Sequence, residues 1–531
     1  MLADPKNSYS LQAKLQNPHF YLWALLIMGL AWRIIFWGLD FPQGGDETFV
    51  ALSVMTKDFG GMLNGLEYGQ IVPVGFMWLE LALTKMFGYS GLILRLIPAL
   101  GLIAALIIFW RLCLRLLLPW EACLTVGLFA TSSSLAQAQM KPYALDILSA
   151  TALFWAVVRV KEDLRSGRSW LILTVIAALS VWVSYPAVFV SGGLALFLGG
   201  YGLKKKEGSF LLFLVLYSLI LGLSFGLMFF LGAKAQTGNS DWLWKFKIWE
   251  EAYPPLEELW RLPWWLIKTH LGFMFSLIRV DNYGLAVPTA CLAWIGFAAL
   301  IKDHRSPLDW LTLTPLVPAL LAAGLKLYPY GGSIRTMLYM APFFCFLAGY
   351  GFSSLYRFLF KEGNKAFLIT CLVMLLITGH SILGDMTEPY NRPSHEKARL
   401  VFTQLGRGSA SDDQWIIYGL TGPAPLAKDS ITVSYEPCFR ANILTYLKGN
   451  ILWNPNPETV LQNRIGETRV LVSRDRQLGD INVNQFFTFL EQLKEHQGPY
   501  THKVFILDGS PDNFWSVDLF TFPLQKNRRL R

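Results

Sequence analysis

Apolar runs of roughly 18 to 22 residues recur through the first 380 or so residues of the chain, and they leave few folds open. An α-helix rises 1.5 Å per residue, so a run of that length matches the roughly 30 Å hydrocarbon core of a bilayer. A soluble core helix rarely needs so many apolar residues in a row. Charged residues are 16% of the 531-residue chain, against about 25% in soluble domains, and the deficit lies in this same region. The runs predict spans near 20–39, 96–114, 121–138, 144–160, 170–184, 186–202, 210–232, 284–301, 310–326, 337–356 and 366–383. The expected fold is a polytopic α-helical membrane protein, with about eleven transmembrane helices plus interfacial helices and a C-terminal α/β extracytoplasmic domain. Residues 1–383 are expected to form the transmembrane part and 384–531 the soluble one. The first run, Phe20 to Leu39, lacks an Ala-x-Ala cleavage pattern and reads as a retained signal anchor.

One further segment, Ile71 to Gly88, is nearly long enough to cross, but Glu80 and Lys85 break its apolar run. Loop charge decides its role. If it does not cross, the loops bearing Arg111/Arg115, Lys161/Arg165/Arg168, Lys204/Lys205/Lys206, Lys302/Arg305 and Arg357/Lys361/Lys365 all share the cytoplasmic side with the N-terminus. If it crosses, that bias inverts. The excess of Lys and Arg in cytoplasmic loops therefore favours an interfacial or re-entrant helix at 71–88. On this parity the protein sits in the cytoplasmic (inner) membrane with loops 40–95, 139–143, 233–283 and 326–336, and the tail, on the outer face.

The tail of about 148 residues alternates strand-like runs (Trp415–Tyr418, Ile431–Tyr435, Arg469–Ser473, Val504–Leu507, Trp515–Phe522) with helix-like ones (Glu396–Leu405, Glu458–Ile465, Asn484–His496). Such alternation predicts a small sheet flanked by helices.

The formal net charge of +9 sits mostly in short loops between apolar runs, a topology signal and not a nucleic-acid footprint. Five of the six cysteines lie in or beside apolar runs and only Cys438 in the tail, so no disulfide framework is expected. The sequence has no Gly-x-x-x-x-Gly-Lys-Ser/Thr loop, no Gly-x-Ser-x-Gly elbow and no zinc-ligand spacing among its histidines, which argues against ATP hydrolysis and serine-hydrolase chemistry.

Three outer loops carry chemistry-bearing residues. Gly44-Gly45-Asp46-Glu47 places adjacent carboxylates just outside the first span, where they are costly to desolvate without work or partners. Gln139-Met140-Lys141-Pro142-Tyr143-Ala144-Leu145-Asp146 sets a cation, a phenol and a carboxylate at the mouth of two helices. Pro142 suits a first helical turn, and the dipole there favours the Asp146 anion. Leu327-Tyr328-Pro329-Tyr330-Gly331-Gly332-Ser333-Ile334-Arg335 joins a Gly-Gly pair to an arginine, a combination suited to phosphate. Taken singly, each also describes an ordinary solvated loop or a helix-end charge. The tryptophans of loop 233–283 (Trp242, Trp244, Trp249, Trp260, Trp264, Trp265), with Lys245, Lys247, Lys268 and His270, describe an amphipathic helix lying on the bilayer. Arg33, inside the first span, is expected to pair with Asp40 or Asp46.

With these motifs in that order and on one side, the chain resembles the glycosyltransferase C superfamily, and within it family 39 and its bacterial relatives, the protein O-mannosyltransferases and the lipid A aminoarabinose transferase. The resemblance covers roughly residues 20–383. It rests on Asp46-Glu47, the stretch Lys141-Pro142-Tyr143 to Asp146, and Tyr328-Pro329-Tyr330-Gly331-Gly332 followed by Arg335. The chain departs from the family where a Pro-Pro pair is common after the first-loop acid, having Val72-Pro73-Val74-Gly75, and its tail shows no lectin-like insert.

The resemblance implies an inverting transfer of a sugar from a polyprenyl-phosphate donor to a lipid, glycan or protein acceptor at the outer face. It implies Asp46 as base on the acceptor, with Glu47 supporting it or contacting a metal. Lys141, Tyr143, Tyr328, Tyr330 and Arg335 are the candidates for donor phosphate or sugar, and Asp146 for the acceptor or for orienting Lys141. No cofactor is implied for certain; a divalent cation at Asp46 and Glu47 stays open. Beyond donor and acceptor, membrane lipids are the expected partners and nucleic acid is not. The rival reading is a transporter or flippase of glycolipid intermediates without catalysis. Inverted repeats and mid-membrane ionisable residues would mark it, whereas no clear repeat is visible and the charges cluster at one face.

Overall fold

The computed structural model describes residues 17–43, 46–137, 139–206, 208, 210–238, 250–276, 279–280, 283–284, 286–303, 308–332, 334–359, 365–387, 393–407, 414–418, 442, 447, 450–453, 468–475, 489–495, 499–508 and 515–522. Seven of its helices are long and apolar enough to cross a membrane: Pro18–Gly38, Leu96–Leu116, Tyr143–Glu162, Ala187–Lys205, Phe210–Thr237, Ile334–Leu359 and Phe367–Thr387. The other expected spans fold as shorter helices, among them Gly167–Val183 and Ala286–Lys302, of 17 residues each. The run at 310–326 divides into Leu308–Leu313 and Leu316–Gly324 at Pro315, whose ring cannot continue the ladder of the preceding turn. The run at 121–138 stops as a helix at Thr131. Ser132 is extended, and only the short turn Ser133–Ala136 follows. Consecutive hydroxyl side chains compete for backbone groups and favour such an ending.

The segment expected at the interface is the helix Val74–Phe87, of 14 residues. At 1.5 Å per residue it is about 21 Å long, short of the hydrocarbon thickness. It packs through Trp78, whose ring lies 6.4 Å from that of Trp182.

Two compact units make up the chain. The first comprises Met1–Asp40, Lys57–Gly88 and Leu92–Pro389. Its helices pack on one apolar core, with Phe154 between Phe343 and Phe346 at centroid distances of 4.7 and 5.6 Å. The helices Ala286–Lys302 and Ala341–Leu359 approach through small residues. A Cβ on Gly296 would strike the Leu347 carbonyl, and one on Gly351 the Leu292 carbonyl. Close backbone approach is how membrane helices associate where lipid supplies no hydrophobic drive.

Arg33 corrects an expectation. It is fully buried, and among the described residues its guanidinium donates to the backbone carbonyls of Gly29 (2.8 Å) and Phe129 (3.2 Å), not to a carboxylate. Asp40 pairs with Arg95 at 3.8 Å instead. Gly29 lies one turn back on the same helix and Phe129 on a helix packed against it, so these carbonyls engage the two terminal nitrogens without burying a second charge, while Nε has no partner among the described residues.

The second unit comprises Phe41–Thr56, Tyr89–Gly91 and Tyr390–Arg531. Its sheet has the order β4-β3-β5-β7-β6, from β3 (Gln414–Tyr418), β4 (Asn450–Trp453), β5 (Thr468–Asp475), β6 (Thr501–Asp508) and β7 (Trp515–Phe522). A two-residue hairpin, β1 (Arg279–Val280) with β2 (Tyr283–Gly284), belongs to the first unit. In the sheet β3 runs parallel to β4 and β5, and β7 antiparallel to β5 and β6.

Alternation along the strands fills both faces of this sheet. Trp415, Ile417, Leu471 and Val517 pack with Ala398 and Phe402 of the helix Pro393–Arg407. Ile416, Val470, Phe520 and Phe522 pack with Phe489, Leu490 and Leu493 of the helix at 489–495. Four expected strands and the helix 396–405 are therefore present, and β4 is an addition. The expected strand 431–435 and helix 458–465 lie outside the described residues.

Candidate active site

The early stop of the helix Pro119–Thr131 opens a polar hollow at the end of the first unit's bundle. The turn Ser133–Ala136 and the loop to Pro142 form one wall, bearing Ser133, Ser134, Gln137, Gln139 and Tyr143. Arg335, in the short helix Ile334–Met337, lines the same cavity. Leu102, Ala144, Ile147, Ile334 and Leu338 complete the lining of this cavity of about 110 Å³. Hydroxyls, amides, a phenol and a guanidinium over apolar side chains suit a small polar headgroup whose attached chain is apolar.

Two of the sequence-chosen residues, Tyr143 and Arg335, thus meet on one cavity although they lie far apart in the chain. Lys141 is buried two residues before Tyr143, and its Nζ donates to Gln70 Oε1 at 2.6 Å. The segment bearing Gln70 is itself clamped. The Val72 N–H donates to Gln236 Oε1 (2.9 Å), and Gln236 Nε2 donates to the Val72 carbonyl (2.9 Å). The Tyr185 hydroxyl lies 3.0 Å from the same Gln236 oxygen. Asp146 occupies the first turn of the helix Tyr143–Glu162 and is buried, and its Oδ1 has no hydrogen-bond partner among the described residues.

Tyr328 donates to the Thr336 carbonyl (3.1 Å) and packs edge-on to Phe189 at 5.1 Å. Tyr330 is 1% exposed, with its hydroxyl 3.0 Å from His270 Nε2. Burial raises the pKa of the Tyr330 phenol and lowers that of His270, so both are neutral near pH 7.

Asp46 and Glu47 open the helix Asp46–Thr56, which belongs to the second unit. Among the described residues no group of three His, Cys, Asp or Glu side chains gathers as metal ligands.

Part of this site escapes sequence reasoning. Ser133, Ser134 and Gln137 fall inside a run read as a span, and their only signal is the polar break Thr131-Ser132-Ser133-Ser134 at its end. Gln70, Gln236 and Tyr185 carry no motif at all. Of the tryptophan-rich loop, the helix Leu262–Leu271 has Trp264 and Ile267 exposed and Trp265 buried, the two-faced pattern expected, with exposed Trp260 just before it. Trp242, Trp244, Trp249, Lys245 and Lys247 lie outside the described residues.

No protein-family model matches the chain, and no curated protein matches it. Solved structures do. ArnT from Cupriavidus metallidurans bound to undecaprenyl phosphate superposes with a TM-score of 0.53 at 11% identity, covering 93% of this chain and 97% of that one. The same protein in its apo state gives a TM-score of 0.51 at 10% identity, with the same coverage. The Archaeoglobus fulgidus oligosaccharyltransferase, in complex with Zn and sulfate, gives 0.49 at 10% identity over 92% of this chain and 72% of that one. The chain shares the ArnT fold over nearly its whole length.

Proposed function

We propose that the protein is an inverting glycosyltransferase that moves a sugar from a polyprenyl-phosphate donor to an acceptor at the outer face of the membrane. The observation that carries this reading is the cavity that joins Arg335 to Tyr143 and the hydroxyl and amide wall, in a chain with the ArnT fold. A guanidinium fork matches a phosphate. The Ser133, Ser134, Gln137 and Gln139 side chains offer donors and acceptors to sugar hydroxyls. Lys141, buried two residues before Tyr143, brings a positive charge to the same segment.

In the proposed step the acceptor oxygen bonds to the anomeric carbon on the face opposite the phosphate. The bond from that carbon to the phosphate oxygen breaks, and polyprenyl phosphate leaves with the electron pair. The acceptor proton passes to the Asp46 carboxylate, the role implied by the resemblance, with Glu47 beside it. Phosphate is already a good leaving group, so one base and a cationic clamp suffice, unlike the paired carboxylates of a glycosidase.

The test has two arms. Glycolipids and glycoproteins are compared by mass spectrometry in cells with and without the protein, and a lost glycoform is expected. With that donor and acceptor in nanodiscs, Asp46→Asn should lower single-turnover transfer about 100-fold or more, the scale of a positioned base. Normal transfer by Asp46→Asn removes Asp46 as base. An unchanged glycolipid and glycoprotein profile, together with transport of an intact glycolipid, favours the flippase instead.

A further inference from the structure

The loop that presents Arg335 to the cavity is closed on itself by the Tyr328 bond to the Thr336 carbonyl and is also held by a second segment of the same unit. The Tyr330 N–H donates to the Ala252 carbonyl at 2.9 Å. The Tyr330 ring lies 6.1 Å from that of Trp265, whose indole N–H donates to the Glu251 carbonyl at 2.9 Å. Gly331 takes φ +74°, and a Cβ there would run into the Thr269 Cγ2 methyl. A Cβ on Gly332 would stand 2.6 Å from the Ala252 Cβ. Residues 251–252 and 265–270 therefore enclose 330–332 with no room for a side chain at either glycine, which is a packing reason for the Gly-Gly pair.

His270 closes the arrangement. Its Nδ1 lies 2.8 Å from the Leu266 carbonyl, which can only accept, so Nδ1 carries the proton. The other nitrogen, Nε2, then presents its lone pair to the Tyr330 hydroxyl, which donates to it over 3.0 Å. The Trp294 indole N–H donates to the His270 carbonyl at 3.1 Å and ties the assembly to the helix Ala286–Lys302. Tyr330 is buried and its hydroxyl is engaged with His270, five residues before the arginine that faces the cavity.

We propose that His270 and Tyr330 are positioning residues that set the loop 328–335 so that the Arg335 guanidinium faces the phosphate end of the donor. The proposal rests on the reading of Arg335 as the phosphate-holding group. Tyr330 on this account acts through the loop and not by touching sugar or phosphate.

The test measures binding of undecaprenyl phosphate to the full-length protein in nanodiscs. Tyr330→Phe keeps the ring and removes only the hydroxyl, so it is the variant least disposed to unfold. It should weaken binding about 3- to 10-fold, the scale of one buried hydrogen bond. His270→Ala should do the same, and His270→Gln, whose side-chain amide can still accept from the phenol, should recover part of the loss.

A merely structural role would not couple to Arg335, so each variant is repeated in an Arg335→Ala background. There, Tyr330→Phe should cost nothing further, because the group it positions is gone. Equal losses from Tyr330→Phe with and without Arg335 overturn the proposal. So does unchanged binding by Tyr330→Phe when Arg335→Ala alone weakens binding. Unchanged binding by Arg335→Ala itself overturns the phosphate reading, and the positioning role with it.

Discussion

Glu80 offers the sharpest thermodynamic test of the packing. It lies in the short helix Val74–Phe87, fully buried, and neither carboxylate oxygen has a hydrogen-bond partner among the described residues. An ionised carboxylate in that position would be uncompensated, and burial pushes its pKa well above the ordinary 4.5. The group therefore stays protonated in the folded protein at pH values where it ionises in the unfolded chain.

Well below pH 4.5 both states hold the proton and Glu80 contributes no pH dependence. As pH rises above that value the unfolded chain releases the proton first, so the folded state binds more protons and stability falls with pH. The limiting slope is about 1.4 kcal/mol per pH unit, and the fall ends once pH passes the raised folded value. Glu80→Gln keeps the size and the neutral polar head and removes the titration. Thermal unfolding of both proteins, followed by intrinsic fluorescence in one detergent across pH 4.5 to 8, should give matched midpoints at the acid end. The variant should lead increasingly as pH rises. Parallel profiles across the range would refute the reasoning, because they would mean that the carboxyl finds solvent or a cation in the folded protein.

Two further outcomes are expected. In a cysteine-free background, single cysteines beside Asp146, beside Arg335 and in the tail should be labelled from outside, and one beside Lys205 should not. The reverse pattern would invert the parity drawn from loop charge. A fragment of residues 390–531 should unfold cooperatively in denaturant, because the sheet's two apolar clusters are built from residues 398 to 522; a gradual, non-cooperative loss of signal would contradict that.

The residues differ in how much of their role could be read before the fold was known. Hydropathy is a local property. A run such as Leu96–Leu116 must hide its backbone polar groups within itself once it enters lipid, so its helicity follows from composition alone. Strand alternation at Trp415, Ile416 and Ile417 likewise announces two buried faces, because successive side chains must point to opposite sides. Helix breaks were half legible. Pro315 and the Ser132–Ser134 run carry the chemistry of a break, but an apolar average over 18 residues conceals it.

Partnership was not legible. Arg33 looked destined for a carboxylate and instead donates to carbonyls of Gly29 and Phe129. Lys141, a candidate for donor phosphate or sugar, donates to Gln70, whose place depends on Gln236 far along the chain, and no spacing announced that bond. Tyr330, a candidate for donor phosphate or sugar, donates to His270, a partner 60 residues away in the chain. The sequence by itself determined that long apolar helices dominate the first part of the chain, where in the tail four of the sheet's strands lie, and that Tyr143 and Arg335 have the chemistry for a charged headgroup. Only the tertiary structure decided that these two line one cavity, with Ser133, Ser134, Gln137 and Gln139 beside them. The reason is range. Periodicity and hydropathy act between residues a few positions apart, whereas a buried donor takes whichever acceptor packing brings within about 3 Å, and that neighbour is set by how distant helices pack, not by spacing along the chain.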